Sequence, residues 1–180
     1  MPRHIVLLRG INLGATNRIA MPQLRELLTD AGFEDVRTYL QSGNVVLDST
    51  ATAEAVAGQI EQLIADHLAL NIPVVTRTRD EIADVIRHNP LGTLADDPKR
   101  YQVTFLAGTI ATETTQKLAD AAVDPERFVA TGRELYTWHP SGVARSKLAT
   151  MMSGRGLGVT ATARNWTTVT KLLELADAEP

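Results

Sequence analysis

Val36-Arg37-Thr38-Tyr39-Leu40-Gln41-Ser42-Gly43-Asn44-Val45-Val46-Leu47-Asp48 reads as two short strands joined by a tight turn. Val36 to Gln41 and Asn44 to Asp48 supply the strands, and Ser42-Gly43, a pair of small residues, supplies the turn. The hairpin decides how its neighbours are read. Before it, Ile5-Val6-Leu7-Leu8 within Arg3 to Arg9 is a continuous apolar run suited to a buried strand. Gly10-Ile11-Asn12-Leu13-Gly14 breaks that run. Pro22 fits the first turn of a helix, and Met21, Leu24, Leu27, Leu28 and Ala31 recur at helical spacing until Gly32. After the hairpin, Val56, Ile60, Leu63, Ile64 and Leu68 form a second helical stripe, and Pro73 to Thr78 a fourth strand. The order is β-α-β-β-α-β.

Thr78-Arg79-Asp80-Glu81 then matches a capping box, in which a Thr hydroxyl and a Glu three residues on satisfy the first free helix amides. Ile82, Val85 and Ile86 are the face of that helix. Asn89-Pro90-Leu91-Gly92 and Asp96-Asp97-Pro98 are rich in turn formers and mark residues 89–99 as a connector. The order repeats beyond it. Tyr101 to Leu106 is a strand ending at Gly108, and Thr112 is read as the cap of a helix carrying Leu118 and Ala122. Arg127 to Ala130 and Leu135 to Trp138 form a hairpin around Thr131-Gly132-Arg133. Ala144 to Met152 is a helix, Gly158 to Ala163 a strand, and Val169, Leu172, Leu173 and Ala176 the face of a last helix. Gly10 falls on Gly108, Gly43 on Gly132, and Ile82, Val85, Ile86 on Val169, Leu172, Leu173, as an internal duplication requires.

The expected fold class is therefore α+β: two ferredoxin-like β-α-β-β-α-β halves from an internal duplication, each followed by an extra helix. Residues 1–88 form the first half, 89–99 the connector and 100–180 the second half. One mixed sheet of all eight strands is the alternative that pattern alone leaves open.

Composition bounds the function. Hydrophobic residues make up 44% and charged residues 22%, which is a globular balance rather than a disordered one. No apolar run reaches the length of a spanning helix or a signal-peptide core, so no membrane partner and a cytoplasmic location are expected. Without cysteine there can be no disulfide, thiolate nucleophile or thiolate metal site. His4, His67, His88 and His139 lack paired ligand spacing, no phosphate-cradling Gly-rich motif occurs, and neither metal nor cofactor is expected. The formal charge is −3, yet Leu135 to Leu173 contains no acid while carrying Arg145, Lys147, Arg155, Arg164 and Lys171. Met1 to Arg25 is likewise free of acids. An acidic chain with two basic windows fits an anionic small molecule or single-stranded nucleic acid better than duplex DNA, which needs a broad basic face.

Four motifs carry a resemblance: Leu7-Leu8-Arg9-Gly10-Ile11-Asn12, Thr38-Tyr39-Leu40-Gln41-Ser42-Gly43-Asn44-Val45-Val46, Arg145-Ser146-Lys147-Leu148 and Ala163-Arg164-Asn165-Trp166-Thr167-Thr168-Val169-Thr170-Lys171. Together, and in this order, they resemble the bacterial DUF1697 family across nearly the whole chain. Ala15 and Thr16 depart from the Gly and Lys that the family favours. The resemblance implies the fold and the motif positions and no reaction.

The candidate ligand-binding residues are Arg9, Asn12, Gln41, Ser42, Asn44, Ser146, Lys147, Arg164, Asn165, Trp166 and Lys171; no catalytic residue is assigned. In the expected topology Arg9, Asn12, Gln41, Ser42 and Asn44 share one sheet edge. If the halves pack suitably, the second group joins them in a basic cleft that binds an anionic nucleotide-like ligand or a short single strand. A transferase or hydrolase acting on a phosphate- or carboxylate-bearing molecule in that cleft is a second reading, though adjacent Ser146 and Lys147 diverge by about 100° on a helix and make a poor nucleophile-base pair. The third reading is structural: Asn165 falls where Thr78 falls and can cap a helix, Gln41 and Asn44 can satisfy hairpin backbone, and Trp166 can pack in a core. Tyr101, Phe105, Tyr136 and Trp138 alternate like the stacking aromatics of RNA-binding sheets, but the comparable strands of the first half carry Val6, Leu8, Val45 and Leu47, which favours packing in a core.

Overall fold

The structure, a computed structural model, describes residues 1–153 and 155–179. The expected hairpin forms with a longer turn: β2 (Glu34–Tyr39) starts and ends two residues earlier than the expected Val36 to Gln41, the turn takes Leu40 to Gly43, and β2 pairs antiparallel with β3 (Asn44–Asp48), with Tyr39 opposite Asn44. β1 (Arg3–Leu8) lies beside β3, and β4 (Val74–Thr78) closes the sheet in the order β2-β3-β1-β4. Between them run α1 (Met21–Asp30), with Pro22 in its first turn, and α2 (Ala53–Leu68), whose first free amides are met by the Thr52 hydroxyl accepting from Ala55 N at 3.2 Å. Leu24 and Leu28 of α1 and Val56, Ile60 and Ile64 of α2 bury one stripe each against Val6, Leu8, Val45, Leu47 and Val74. Because strand side chains alternate, the opposite face carries Ile5, Leu7, Val46, Val75 and the fully buried Arg77.

A similar half follows. After α3 (Arg79–His88), β5 (Tyr101–Leu106), α4 (Thr112–Ala121), β6 (Arg127–Thr131), β7 (Glu134–Trp138), α5 (Lys147–Ser153), β8 (Ala161–Asn165) and α6 (Trp166–Asp177) build a second antiparallel sheet in the order β6-β7-β5-β8. The described residues thus form a mixed α+β protein with two four-stranded antiparallel sheets, six α-helices and two similar halves. Ile5 lies opposite Val46 and Arg77, and Val103 opposite Tyr136 and Arg164, so the two sheets share a register. Leu106, Leu135 and Ala161 pack with Leu118 of α4 and Leu148 and Met152 of α5.

Two compact units divide the chain, Met1–Asp84 with Lys171–Pro180 and Val85–Thr170, so the breaks fall inside α3 and α6. No helix among the described residues is long and apolar enough to cross a membrane.

Several sequence expectations shift. The capping box of α3 is present, Thr78 N donating to Glu81 Oε2 at 2.7 Å and Glu81 N to Thr78 Oγ1 at 3.2 Å. Thr112 does not cap α4: Ala111 holds the cap position without a side-chain bond, and Thr112 is the first helical residue. The helix expected over Ala144 to Met152 is split into a 3-10 turn at Val143–Arg145 and α5, because Ser146 is extended (ψ 122) and begins α5 as its cap. β8 starts three residues later than Gly158 and runs through Asn165. Gly43 matches Arg133 rather than Gly132, since Leu8 N donates to Gly43 O and Leu106 N to Arg133 O, both at 2.9 Å. The second hairpin is shorter by two residues, which moves its glycine off the matching place.

Candidate functional site

In the first unit the edge motifs do meet. The loop after β1 is folded on itself by Asn12, whose Nδ2 donates to Ile19 O at 2.9 Å and whose Oδ1 accepts from Ile19 N at 3.0 Å. The same Nδ2 donates to Gln41 O at 2.7 Å, tying this loop to the β2–β3 turn. Asn44 is fully buried and holds the turn from the other side, its Nδ2 donating to Tyr39 O at 3.0 Å and Ser42 Oγ at 2.9 Å. Asn12 and Asn44 therefore position the edge, while Gln41 keeps an exposed side chain and Arg9 and Ser42 are half-buried. Arg18, exposed in the same loop, donates to Gly14 O at 3.0 Å.

Five residues of this edge have left-handed backbone: Gly10, Asn12, Asn17, Leu40 and Gly43. Gly and Asn tolerate that conformation, and leucine does not. Leu40 adopts φ 58 with 56% of its surface exposed, and Leu13 in the facing loop is 83% exposed. Sequence reasoning passed over both leucines because it followed polar groups. An apolar residue at a turn position beside Ser-Gly was the available signal.

In the second unit the polar motifs are largely spent inside the protein. Ser146 is buried and caps α5, accepting from Ala149 N at 3.0 Å. Asn165 caps α6, accepting from Thr168 N at 2.9 Å. Asn165→Ala should cost about 1 kcal/mol, seen as a lower urea midpoint at unchanged slope. Trp166 stacks on the buried Tyr101 with ring centres 4.6 Å apart, and burial pushes the Tyr101 phenol up to about 12. Arg164 is buried on the same sheet, donating to Thr162 Oγ1 and Ala163 O at 2.8 Å, and burial lowers its guanidinium to about 10. Its counterpart Arg77 makes the matching bond, Nη1 to Thr76 O at 3.0 Å. Lys147 is exposed at the start of α5. Lys171 belongs to the first unit and pairs with Glu174 at 2.8 Å, which holds its ammonium above the ordinary value. Tyr101, Phe105, Tyr136 and Trp138 are all buried, and His88 meets Tyr136 edge-on at 5.6 Å.

Two surface depressions lie elsewhere. One of about 380 Å³ is lined by Phe33, Ser49, Gln59, Gln62 and Asp66, the other of about 330 Å³ by Thr114, Lys117, Thr150 and Met151. Neither contains a motif residue.

Over residues 1–136 the chain matches the model of DUF1697, a family described as protein of unknown function, and it belongs to that family. The solved structure of a conserved bacterial protein, SP0830 from Streptococcus pneumoniae, is similar with a TM-score of 0.79 and 19% identity, covering 98% of this chain and 99% of that one. At that identity the likeness concerns the fold. No curated protein matches the chain.

Proposed function

We propose that the protein binds an anionic, nucleotide-like ligand or a short single strand of nucleic acid at the first unit's edge, where the loop after β1 meets the β2–β3 turn. The observation that carries this reading is Leu40. A leucine held in the left-handed region costs about 1–2 kcal/mol, and exposing its side chain forgoes burial as well. Strain kept at an exposed turn marks a place where shape serves something other than stability. Leu13 and Leu40 offer apolar contact for a flat ring, Gln41 an amide, and Arg9 and Arg18 positive charge in a window without acids. We also propose that each half is a ferredoxin-like unit, that the halves arose by duplication, and that the protein acts in the cytoplasm. The matched registers and the paired Arg77 and Arg164 support the duplication.

Thermal shift and calorimetry with AMP, ribose 5-phosphate and a short oligothymidylate test the reading. Arg18→Ala should weaken the bound probe about ten-fold, equivalent to ~1.4 kcal/mol. Leu40→Gly should raise stability by on the order of 1 kcal/mol while weakening the same probe. Lys147→Ala, which removes an exposed cation of the second unit, should leave the bound probe's affinity unchanged in the same assay. Binding indifferent to Arg9→Ala, Arg18→Ala and Leu40→Gly alike, or a preference for duplex DNA, would dismiss the proposed edge.

A further inference from the structure

Charge in the first unit is segregated along the chain. Residues 26–36 and 38–76 contain no Lys or Arg, yet each stretch carries four acids. Arg37, the one break between them, is taken up by Asp35 at 2.8 Å and by the carbonyls of Leu175 and Glu179. The acid-free windows at Met1 to Arg25 and Leu135 to Leu173 therefore have a counterpart of opposite sign.

That acidic stretch contains the larger of the two depressions. Its 380 Å³ falls within the range of about 300–1,000 Å³ usual for small-molecule sites. Ala31, Gly32 and Phe33 come to it from the end of α1, Ser49 from the end of β3, and Gln59, Gln62, Leu63 and Asp66 from α2. Phe33 and Leu63 give it apolar surface. Among the described residues that line it, Asp66 alone carries a formal charge.

Two features set its polarity. On α2, Gln62 Nε2 donates to Asp66 Oδ1 at 2.7 Å, which orients the carboxylate and leaves Gln62 Oε1 as an acceptor. Gln59, one turn earlier, brings a second amide carbonyl. The other feature is the end of α1. A helix C-terminus carries partial negative charge that Lys, Arg or His in the last turn commonly balances; α1 has no basic residue there and ends in Asp30. Helix end, carboxylate and amide carbonyls all favour positive charge, and no lining side chain among the described residues supplies it.

We propose that this depression binds a small organic cation, an ammonium or guanidinium on a short apolar body. The head meets Asp66 and the glutamine carbonyls, and the body covers Phe33 and Leu63. An ammonium brings three donors and a guanidinium five, and neither accepts, which suits a lining of acceptors. The site does not rest on the edge proposed above, whose ligand has the opposite charge.

The test is an amide NMR titration of the full chain with n-butylamine and agmatine at millimolar concentration, with n-butanol and butyrate as controls of matching body. At least one amine should shift the Gly32, Phe33, Gln62 and Asp66 amides saturably, and neither control should. Asp66 is exposed, so Asp66→Asn keeps the fold, and it should weaken the amine about five-fold, the upper scale of an exposed ion pair. Gln59→Glu, which adds a second carboxylate to the lining, should strengthen it by several-fold. Equal shifts with n-butanol would show an apolar hollow indifferent to charge and overturn the proposal. So would the absence of saturable shifts with both amines, or equal affinity in the parent and Asp66→Asn.

Discussion

Gly43→Ala should destabilise the protein by about 3 kcal/mol, because two penalties fall on one methyl group. The backbone there has φ 76, which costs an L-residue about 1–2 kcal/mol. A Cβ at this position would lie 2.6 Å from Leu8 Cβ and 2.8 Å from Ile11 Cδ1. Both neighbours are buried, Leu8 fully and Ile11 at 1% exposure, so neither can swing into solvent, and overpacking of this kind costs about 1–3 kcal/mol. Against a typical total of about 5–15 kcal/mol the loss is large, and the melting temperature should fall by roughly 10 °C. Gly58→Ala is the control. It sits within α2 with nothing within 4 Å of an added Cβ, and it should raise stability by about 0.5–1 kcal/mol. Denaturation of the two variants giving losses of equal size would show that the Leu8 and Ile11 contacts do not decide the outcome.

That methyl test bears on what the sequence could convey. β3 and β5 ran as expected, Asn44–Asp48 and Tyr101–Leu106, because each is a run of strand formers between sharp turn signals. The capping box at Thr78 was equally legible, being a local pattern of side chain and backbone. Ser146 was not: nothing between Ala144 and Met152 breaks helical periodicity, and only the preference of serine for a cap marked the place where the helix restarts. The breaks between units fall inside α3 and α6, within continuous helical stripes where turn composition gives no signal. The polar motifs were visible as residues but not as roles. Asn12, Asn44, Ser146 and Asn165 bond to backbone groups or to a neighbouring hydroxyl, and a sequence shows a donor without showing what it faces.

Arg3→Met should cost about 3 kcal/mol at neutral pH, and the loss should divide into two parts by its pH dependence. Arg3 is 16% exposed and makes a two-pronged contact with Asp48, Nε to Oδ1 at 2.8 Å and Nη2 to Oδ2 at 2.9 Å, with Nη2 also 2.7 Å from Asp35. Its Nη1 donates to the Ala176 and Ala178 carbonyls at 3.0 and 3.1 Å, satisfying the end of α6 where a cation is favoured. The hydrogen bond from Arg3 holds the Asp48 carboxyl below its ordinary range, against the opposing effect of burial. A carboxyl depressed in the folded state contributes stability that is present above its unfolded pKa, near 4, and is lost as pH falls through the lower folded value. The gap between parent and variant should therefore narrow on acidification below about pH 4. It should not close, because a guanidinium still donates to the α6 carbonyls when Asp48 is protonated. Urea denaturation from neutral to acid pH measures the gap directly. A gap that stays constant through the acid range would assign the whole loss to the α6 carbonyls, and one that vanishes would assign it to Asp48; the geometry, with both sets of bonds at 3.1 Å or less, requires an outcome between the two.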